Sequence, residues 1–436
     1  MASSSGWSRQ FEELDLSDKS EYVTLPANEA DHTTRASGFV SAVEKQIERS
    51  KAHWSTLADG SSGACTAEED GEGDGKAEES NVHEFMQLQR HPTWGGFFRT
   101  FYGEDENPFD NGELVMGEKF AEGGQAELFH AKVTWRIPKD NDEDEYVVKV
   151  FKKGTFLRDL KSQLPHGFLQ IHVEGMENYE SPTPKVIPRY SCNVLRGILL
   201  KNGQFAFLMD KEDFDLRSLI ERKMESRSDR DCGPFSKEDG ELMMYDIALG
   251  VEWLHNRNII HRDLKTSNVL VAEYQSGWPK WECFVADYEC SIGIVGTGFF
   301  RAPEILQACK ERMASQRPEV FSRAADVYAY GMTCYEVLTG KLPFGDHPLI
   351  DNKPLLTELV INQDLRPEIG EYVEGWAREL LKWCWQCDPS ARPTIGKILD
   401  LLLRNSVYVE RQERSLKERY GDDYKYIPMS LYGNGS

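Results

Sequence analysis

The sequence predicts an α+β fold of two lobes, in which a small strand-rich lobe precedes a larger helical lobe. Two apolar runs, at 146–151 and 205–209, have the length and composition of buried strands. The stretch 236–239 matches a capping box, and the helix that it opens is expected to reach His255. Because the strands come first and the helices later, we expect the boundary between the lobes near residue 210.

Length, charge and cysteine content narrow the class of protein. At 436 residues the chain is long enough for two or three domains, and 40% of its residues are hydrophobic. A formal net charge of −22 argues against nonspecific binding to nucleic acid or to anionic membranes. The nine cysteines are scattered and odd in number, which favours a reducing compartment. Since we find neither a secretory signal nor an apolar run of spanning length, we expect a cytoplasmic protein, with the nucleus as a second location.

Residues 1–110 differ in composition from the rest of the chain. From 59 to 84 nine acidic residues face a single lysine, so most of this region is expected to be disordered. A helix at 39–57 is predicted from apolar residues at near-helical spacing, namely Phe39, Val43, Ile47 and Trp54. Two interpretations of that helix stay open, a docking helix for a protein partner and a marginal helix without one. Aromatic residues return between 85 and 109, which predicts a segment that packs on the following domain.

The stretch 261–270 reads His-Arg-Asp-Leu-Lys-Thr-Ser-Asn-Val-Leu and combines three kinds of chemistry within six residues. Asp263 supplies an acid to orient an attacking hydroxyl, Lys265 a cation for a transferring phosphate, and Asn268 an oxygen ligand for a metal ion. A polar turn before a strand would explain the composition, yet not this combination of residues. We therefore interpret the stretch as a phosphoryl-transfer loop.

Three further positions carry chemistry that nucleotide binding requires. In the stretch 121–128, Ala-Glu-Gly-Gly-Gln-Ala-Glu-Leu, the absence of a Cβ at Gly123 lets the backbone approach phosphate oxygens. Lys149 lies inside an apolar strand, where a charge is costly unless a partner is supplied. Asp287 follows the apolar stretch 284–286 and places a carboxylate at its end.

Together these motifs resemble those of eukaryotic protein kinases, in particular the tyrosine-kinase-like branch, over about residues 114–404. The stretch 296–304 is similar to the family pattern G-T-x-x-[YF]-x-A-P-E, and 384–394 to C-W-x-x-D-P-x-x-R-P-T. The resemblance implies the bilobal protein kinase fold over 114–404, flanked by an N-terminal region 1–110 and a tail 405–436. It also implies an enzyme that phosphorylates a protein substrate with ATP and Mg²⁺ or Mn²⁺, and the lysine in H-R-D-L-K favours serine and threonine as acceptors.

The resemblance assigns four residues to the nucleotide. It implies that Lys149 holds the α- and β-phosphates and that the loop around Gly123 covers them. Met209 falls where the family has the residue that guards the adenine pocket. Lys211 falls in the following connection, whose backbone binds adenine in the family.

The resemblance assigns the chemical step to the loop and to the strand that follows it. Asp263 would orient the substrate hydroxyl, and Lys265 would offset charge on the γ-phosphate. Asn268 and Asp287 would bind the metal. Asp326, in the stretch 325–331, would hold the loop in place.

Two long-range contacts are also implied by the resemblance. Thr297 would contact both Asp263 and Lys265 and help to seat the substrate hydroxyl. Arg392 would pair with Glu304.

Three departures from the family pattern support an alternative function. Ala121 and Ala126 replace two glycines of the phosphate loop, and Glu289 replaces the glycine two positions after Asp287. These changes favour a pseudokinase scaffold with weak or absent nucleotide turnover. A third interpretation makes residues 1–110 the functional segment, with the kinase fold as its carrier.

The acid that pairs with Lys149 in the family is left open. Glu174 and Glu177 both lie at a suitable distance along the chain, and His172 is able to occupy the same register.

Overall fold

The computed structural model describes residues 74–90, 98–100, 112–135, 145–160, 190–192, 194–200, 202–227, 232–275, 278–288 and 296–420. All of them belong to the second of two units of the chain, residues 62–436. Several sequence-based predictions lie outside the described residues: the helix at 39–57, the candidate partners His172, Glu174 and Glu177, and the departure at Glu289. The predicted α+β fold with strands before helices is confirmed.

A six-stranded sheet forms the smaller lobe. Its strands are β1 (Phe98–Thr100), β2 (Gly112–Glu122), β3 (Ala126–Trp135), β4 (Tyr146–Phe151), β5 (Val194–Leu199) and β6 (Phe205–Asp210). Their order is β1-β5-β6-β4-β3-β2, and all neighbours are antiparallel except the parallel pair β1 and β5. Every residue of β4 is buried, because apolar clusters cover both faces of the sheet there.

Residues 74–90 and 98–100 are part of this lobe. Helix α1 (Asp74–Gln89) buries Ala77, Asn81, Phe85 and Leu88 along one face, and β1 extends the sheet. The predicted packing of the aromatic segment on the following domain is confirmed by Phe98, whereas the prediction of disorder is wrong for residues 74–84. The acidic composition hid the four residues of α1 that face the sheet. Their burial stabilises the helix only because the sheet covers them.

The larger lobe is mainly helical. It begins with the short strand β7 (Phe214–Asp215), which forms a three-stranded antiparallel sheet with β8 (Val269–Glu273) and β9 (Trp281–Val285). The remaining helices are α2 (Leu157–Leu160) in the smaller lobe and, in the larger, α3 (Leu216–Glu225), α4 (Lys237–His255), α5 (Pro303–Lys310), α6 (Arg323–Thr339), α7 (Lys353–Asn362), α8 (Gly375–Cys384), α9 (Ile395–Asn405) and α10 (Val407–Tyr420). The predicted cap of α4 is confirmed, since the Ser236 side chain accepts from the Asp239 N–H.

Helix α4 lies close against β9, the strand that leads to Asp287. A Cβ added at Gly250 would come within 2.5 Å of Val285 Cγ2 and 2.6 Å of the Tyr190 carbonyl oxygen. A side chain at this position would therefore push β9 away from α4.

The segment predicted as a tail begins with a helix that packs on the larger lobe. Helix α10 packs on α4, where the Tyr245 hydroxyl donates to the Glu413 carboxylate and Val409 is fully buried. No helix among the described residues combines the length and the hydropathy that crossing a bilayer requires.

Candidate active site

The loop that carries Asp263 is held by Asp326 in the first turn of α6. The Asp326 carboxylate accepts hydrogen bonds from the backbone N–H groups of His261, at 2.8 Å, and Arg262, at 3.0 Å. A third contact joins it to Nε2 of His255 at 2.9 Å. Burial raises the pKa of the Asp326 carboxyl, but the contacts with His255 and His261 outweigh burial, so the pKa lies below its ordinary value. Asp326 is therefore an ionised anchor for the loop, as the resemblance implied.

This anchor gives the fold a dependence on acid pH. Because the pKa of Asp326 is lower in the folded than in the unfolded chain, its contribution to stability is complete above the unfolded value of 3.8 and is lost as the pH falls through the folded value. We expect the free energy of unfolding to fall as the pH is lowered from about 3.8 through the folded value. In chemical denaturation, Asp326→Asn should show a shallower fall over this range, since it has no group to protonate there. Equal slopes would contradict this role.

Three polar side chains meet at Asp263. Lys265 Nζ donates to Asp263 Oδ2 at 2.9 Å, and Thr297 Oγ1 donates to Oδ1 at 2.7 Å. Asn268 Nδ2 donates to the Asp263 carbonyl oxygen at 2.8 Å and to Oδ2 at 3.3 Å. Lys265 Nζ also donates to Thr297 Oγ1 at 2.7 Å. The structure thus brings the three predicted catalytic residues together, and the predicted contacts of Thr297 are confirmed.

A second buried network supports the loop from α3 and α6. Thr266 Oγ1 donates to Glu336 Oε2 at 2.7 Å, and Arg217 binds Oε1 of the same carboxylate. Burial raises the pKa of the Glu336 carboxyl, and the contacts with Thr266 and Arg217 offset only part of that rise. Sequence analysis missed this network, because 119 positions separate Arg217 from Glu336 and no motif relates them.

The Thr266 hydroxyl is open to a direct test. Thr266→Val keeps the shape of the side chain but deprives the buried Glu336 carboxylate of a donor, so we expect the free energy of unfolding to fall by about 1 to 3 kcal/mol. Thr333→Val is the matched control, because that buried hydroxyl donates to the Ala329 carbonyl within α6 and not to a buried carboxylate. Chemical denaturation of both variants measures the difference. Equal losses in the two would show that Glu336 does not depend on Thr266.

Lys149 and Asp287 meet although 138 positions separate them in the sequence. Lys149 Nζ donates to Asp287 Oδ1 at 2.6 Å. Lys149 is 5% exposed within β4, whereas 49% of the Asp287 side-chain surface is open. Burial raises the pKa of the Asp287 carboxyl, but the neighbouring Lys149 ammonium outweighs burial and the pKa is lowered. The pair therefore presents an ionised carboxylate with one open side.

The register of the small sheet places Asn268 beside the Asp287 segment. Val269 of β8 pairs with Val285 of β9, and the N–H of Ala286 donates to the Asn268 carbonyl oxygen at 2.9 Å. Asn268, just before β8, and Asp287, just after β9, therefore lie at the same end of these two strands. An amide oxygen and a carboxylate are hard ligands, and Mg²⁺ commonly takes one or two protein ligands beside substrate phosphates, so this donor set fits the metal.

The hairpin between β2 and β3 contains the predicted phosphate loop. Within it the N–H of Gly123 donates to the Ala126 carbonyl oxygen at 2.8 Å, and the N–H of Lys152 donates to the Gln125 carbonyl oxygen at 2.8 Å. Lys152 Nζ also lies 2.7 Å from Glu122 Oε1. This contact, together with one from Lys119, lowers the pKa of Glu122 to about 2. The loop is thus tied to the end of β4 by residues to which the sequence analysis gave no role.

Met209 and Lys211 differ in their surroundings. Met209 is 6% exposed near the end of β6 and belongs to the apolar cluster that contains Ala286, the residue before Asp287. The Lys211 N–H donates to the Glu145 carbonyl oxygen at 3.3 Å, and its ammonium group binds the Glu145 carboxylate. The structure therefore connects Met209 with the candidate site, and it connects Lys211 with the start of β4 instead.

Arg392 and Glu304 form the predicted pair. The guanidinium donates to both carboxylate oxygens, each at 2.8 Å, and its side chain is fully buried. Such a bidentate pair has a defined geometry, so it holds the start of α5 against the 3₁₀ turn that precedes α9.

The family comparison agrees with this geometry. Residues 205–402 match the protein kinase domain. The match contains Asp263, Lys265, Asn268 and Asp287, but it begins beyond Lys149. Lys149 therefore lies outside the family match. Its hydrogen bond to Asp287 is what connects it with the residues inside the match.

Curated relatives are similar over the same part of the chain. A probable serine/threonine-protein kinase of Dictyostelium discoideum is 34% identical over 179 residues, which are 38% of this chain and 12% of that protein. Serine/threonine-protein kinase STY17 of Arabidopsis thaliana is 33% identical over 190 residues, 40% of this chain and 29% of that protein. Serine/threonine-protein kinase mos of Patiria pectinifera is 29% identical over 191 residues, 40% and 49% respectively.

The chain thus spans between about a tenth and a half of the length of these relatives. Protein kinase domains use ATP, a divalent metal ion and a protein substrate. The domain match, the relatives and the assembled side chains agree that residues 205–402 of this chain are similar to the domain of eukaryotic protein kinases.

Proposed function

We propose that this chain transfers the γ-phosphate of ATP to serine or threonine hydroxyls of protein substrates. The observation that carries the proposal is the 2.6 Å contact between Lys149 and Asp287, which joins the smaller lobe to the strand that ends beside Asn268. The loop with Asp263 adds an acid and a cation, and relatives named serine/threonine-protein kinases support the same acceptor class.

The chemical step depends mainly on Asp263 and Lys265. Asp263 orients the acceptor hydroxyl and takes its proton late in the transfer, while Lys265 offsets negative charge near the γ-phosphate. Thr297 donates to one Asp263 oxygen and accepts from Lys265, so it fixes the distance between the acid and the cation. Little covalent chemistry is required of the protein, because positioning and electrostatic stabilisation account for most of the rate.

Asp287 and Asn268 would hold Mg²⁺, or Mn²⁺ in its place. When bound, the metal neutralises charge on the phosphates. Lys149 binds the α- and β-phosphates from the side of β4, and its contact with Asp287 orients that carboxylate before the nucleotide arrives.

The rest of the nucleotide lies along the smaller lobe. The hairpin with Gly123 covers the phosphates, and Met209 lines the adenine side of the pocket. Because the N–H of Lys211 is bonded to Glu145, we restrict its contribution to the backbone carbonyl.

The pseudokinase scaffold is the second candidate. The alanines at 121 and 126 and the glutamate at 289 favour it. The assembly of Lys149, Asp263, Asn268 and Asp287 around one site argues against it, because loss of activity relaxes the need to keep all four. A cytoplasmic or nuclear location and a protein partner for residues 1–110 stay predictions.

The test is phosphate transfer from ATP labelled at the γ-position to a generic protein, followed by identification of the modified amino acid. Phosphoserine or phosphothreonine formed in the presence of Mg²⁺ or Mn²⁺ is the expected result. Phosphotyrosine alone would overturn the acceptor class. Folded protein that transfers nothing with either metal would establish the scaffold alternative.

A further inference from the structure

Helix α1 holds the chain segment that leaves the Lys149 strand. Asn81 lies in the middle of the helix and is 3% exposed. Its Nδ2 donates to the Thr155 carbonyl oxygen at 2.8 Å, and its Oδ1 accepts from the Leu157 N–H at 2.8 Å. The Asn81 side chain thus hydrogen-bonds both a carbonyl and an N–H of the backbone turn that follows β4, a few residues after Lys149.

A second contact of α1 is made through aromatic rings. Phe85 is fully buried and packs edge-on against Phe98 of β1, with ring centroids 5.3 Å apart. The same apolar cluster contains Phe151, whose ring is stacked on Phe205 at 4.4 Å. The Lys149 ammonium lies 5.9 Å from the centre of the Phe151 ring. One apolar cluster therefore extends from Phe85 of α1 to the Phe151 ring, which lies beside the Lys149 ammonium.

The helix is also seated closely on the turn between β5 and β6. A Cβ added at Gly203 would come within 2.6 Å of Glu78 Cβ, and the Glu78 carboxylate accepts from the Gly154 N–H at 3.3 Å. Three separate contacts, to 154, to 155–157 and to 203, hold α1 in one orientation. On the opposite face of the helix Val82 is 39% exposed among the residues that the structure describes.

We propose that α1 is a positioning element of the phosphate site, in which Asn81 and Phe85 fix the exit of β4 and so align the Lys149 ammonium with Asp287. The proposal rests on the proposed function only in naming ATP as the ligand. Neither residue touches the nucleotide; both act through β4. Residues 74–90 precede the part of the chain that matches the kinase domain, so they would add to that domain a helix on which its nucleotide affinity depends.

The test uses the full chain with Asn81→Ala, and Val82→Ala as the matched control on the exposed face of the same helix. Loss of Asn81 leaves the Leu157 N–H and the Thr155 carbonyl without their buried partner. We expect KM for ATP and the dissociation constant of a fluorescent ATP analogue to rise about tenfold, with kcat changed less than about threefold. Amide hydrogen exchange should become faster in 146–157. Val82→Ala should change none of these quantities.

A lower melting temperature with unchanged nucleotide affinity and unchanged exchange in 146–151 would overturn the proposal, because α1 would then be only a stabilising element. Phe85→Leu, a milder change in the same face, serves if Asn81→Ala does not fold. It should raise KM for ATP in the same direction. If the wild type binds no nucleotide, the proposed function fails, and hydrogen exchange in 146–151 still decides whether α1 orders the Lys149 strand.

Discussion

Asp263→Asn is expected to lower kcat for phosphate transfer by about 10³-fold. Asparagine has nearly the same shape, so its amide oxygen can still accept from Lys265 while its NH2 group donates to Thr297 Oγ1 in place of the original bond. An amide cannot accept the hydroxyl proton. The substitution also removes the negative charge that orients the substrate hydroxyl. The dissociation constant for ATP should therefore change little, and the loss should appear in kcat.

Transfer of labelled phosphate in steady state, together with nucleotide titration, measures both quantities. Asp346→Asn is the matched control, because that exposed carboxylate pairs with Lys341 at 2.7 Å outside the site, and it should retain full activity. Transfer by Asp263→Asn at the wild-type rate would reveal a contaminating kinase or exclude Asp263 from the chemical step.

Asp287→Asn is the second variant for which we expect a large effect. It removes the carboxylate proposed to hold the metal and the charge that faces Lys149 at 2.6 Å. We expect kcat/KM for ATP to fall by about 10² to 10³-fold, since charge stabilisation at the phosphates is lost. Mg²⁺ should also no longer strengthen nucleotide binding.

Nucleotide titration with and without Mg²⁺ separates the metal effect from a loss of fold. Glu282→Gln is the control on the same strand, where the carboxylate accepts from the Tyr274 hydroxyl at 2.6 Å. If Asp287→Asn keeps the full Mg²⁺ dependence of nucleotide affinity, another residue holds the metal.

The features that could be predicted from the sequence belong to residues that are close in the chain or related by a known pattern. Asp263, Lys265 and Asn268 lie within six positions, so their chemistry was visible as one motif. The helix from Ser236 to His255 was visible because its cap and its periodicity are local. Local interactions constrain the backbone directly, so their effect can be predicted from the sequence without knowledge of tertiary contacts.

The predictions that failed concern segments whose stability comes from distant partners. Helix α1 was hidden by the acidic composition around it, and α10 by a charged tail. No sequence motif predicted that Glu336 links Arg217 to Thr266, because only the folded structure shows which groups surround this buried carboxylate. The contact of Lys211 with Glu145 could likewise not be read from the sequence, because strand pairing brings the two residues together.

Sequence alone was sufficient to predict a phosphoryl-transfer loop, a strand lysine and an acid proposed to bind the metal, because each is a short pattern of chemically distinct residues. Folding was needed to bring Lys149 within 2.6 Å of Asp287 and to seat Asn81 beneath the turn that follows β4. These contacts join residues more than seventy positions apart. Their geometry is set by the register of β4, β8 and β9 and by the burial of α1, neither of which is encoded in any one segment.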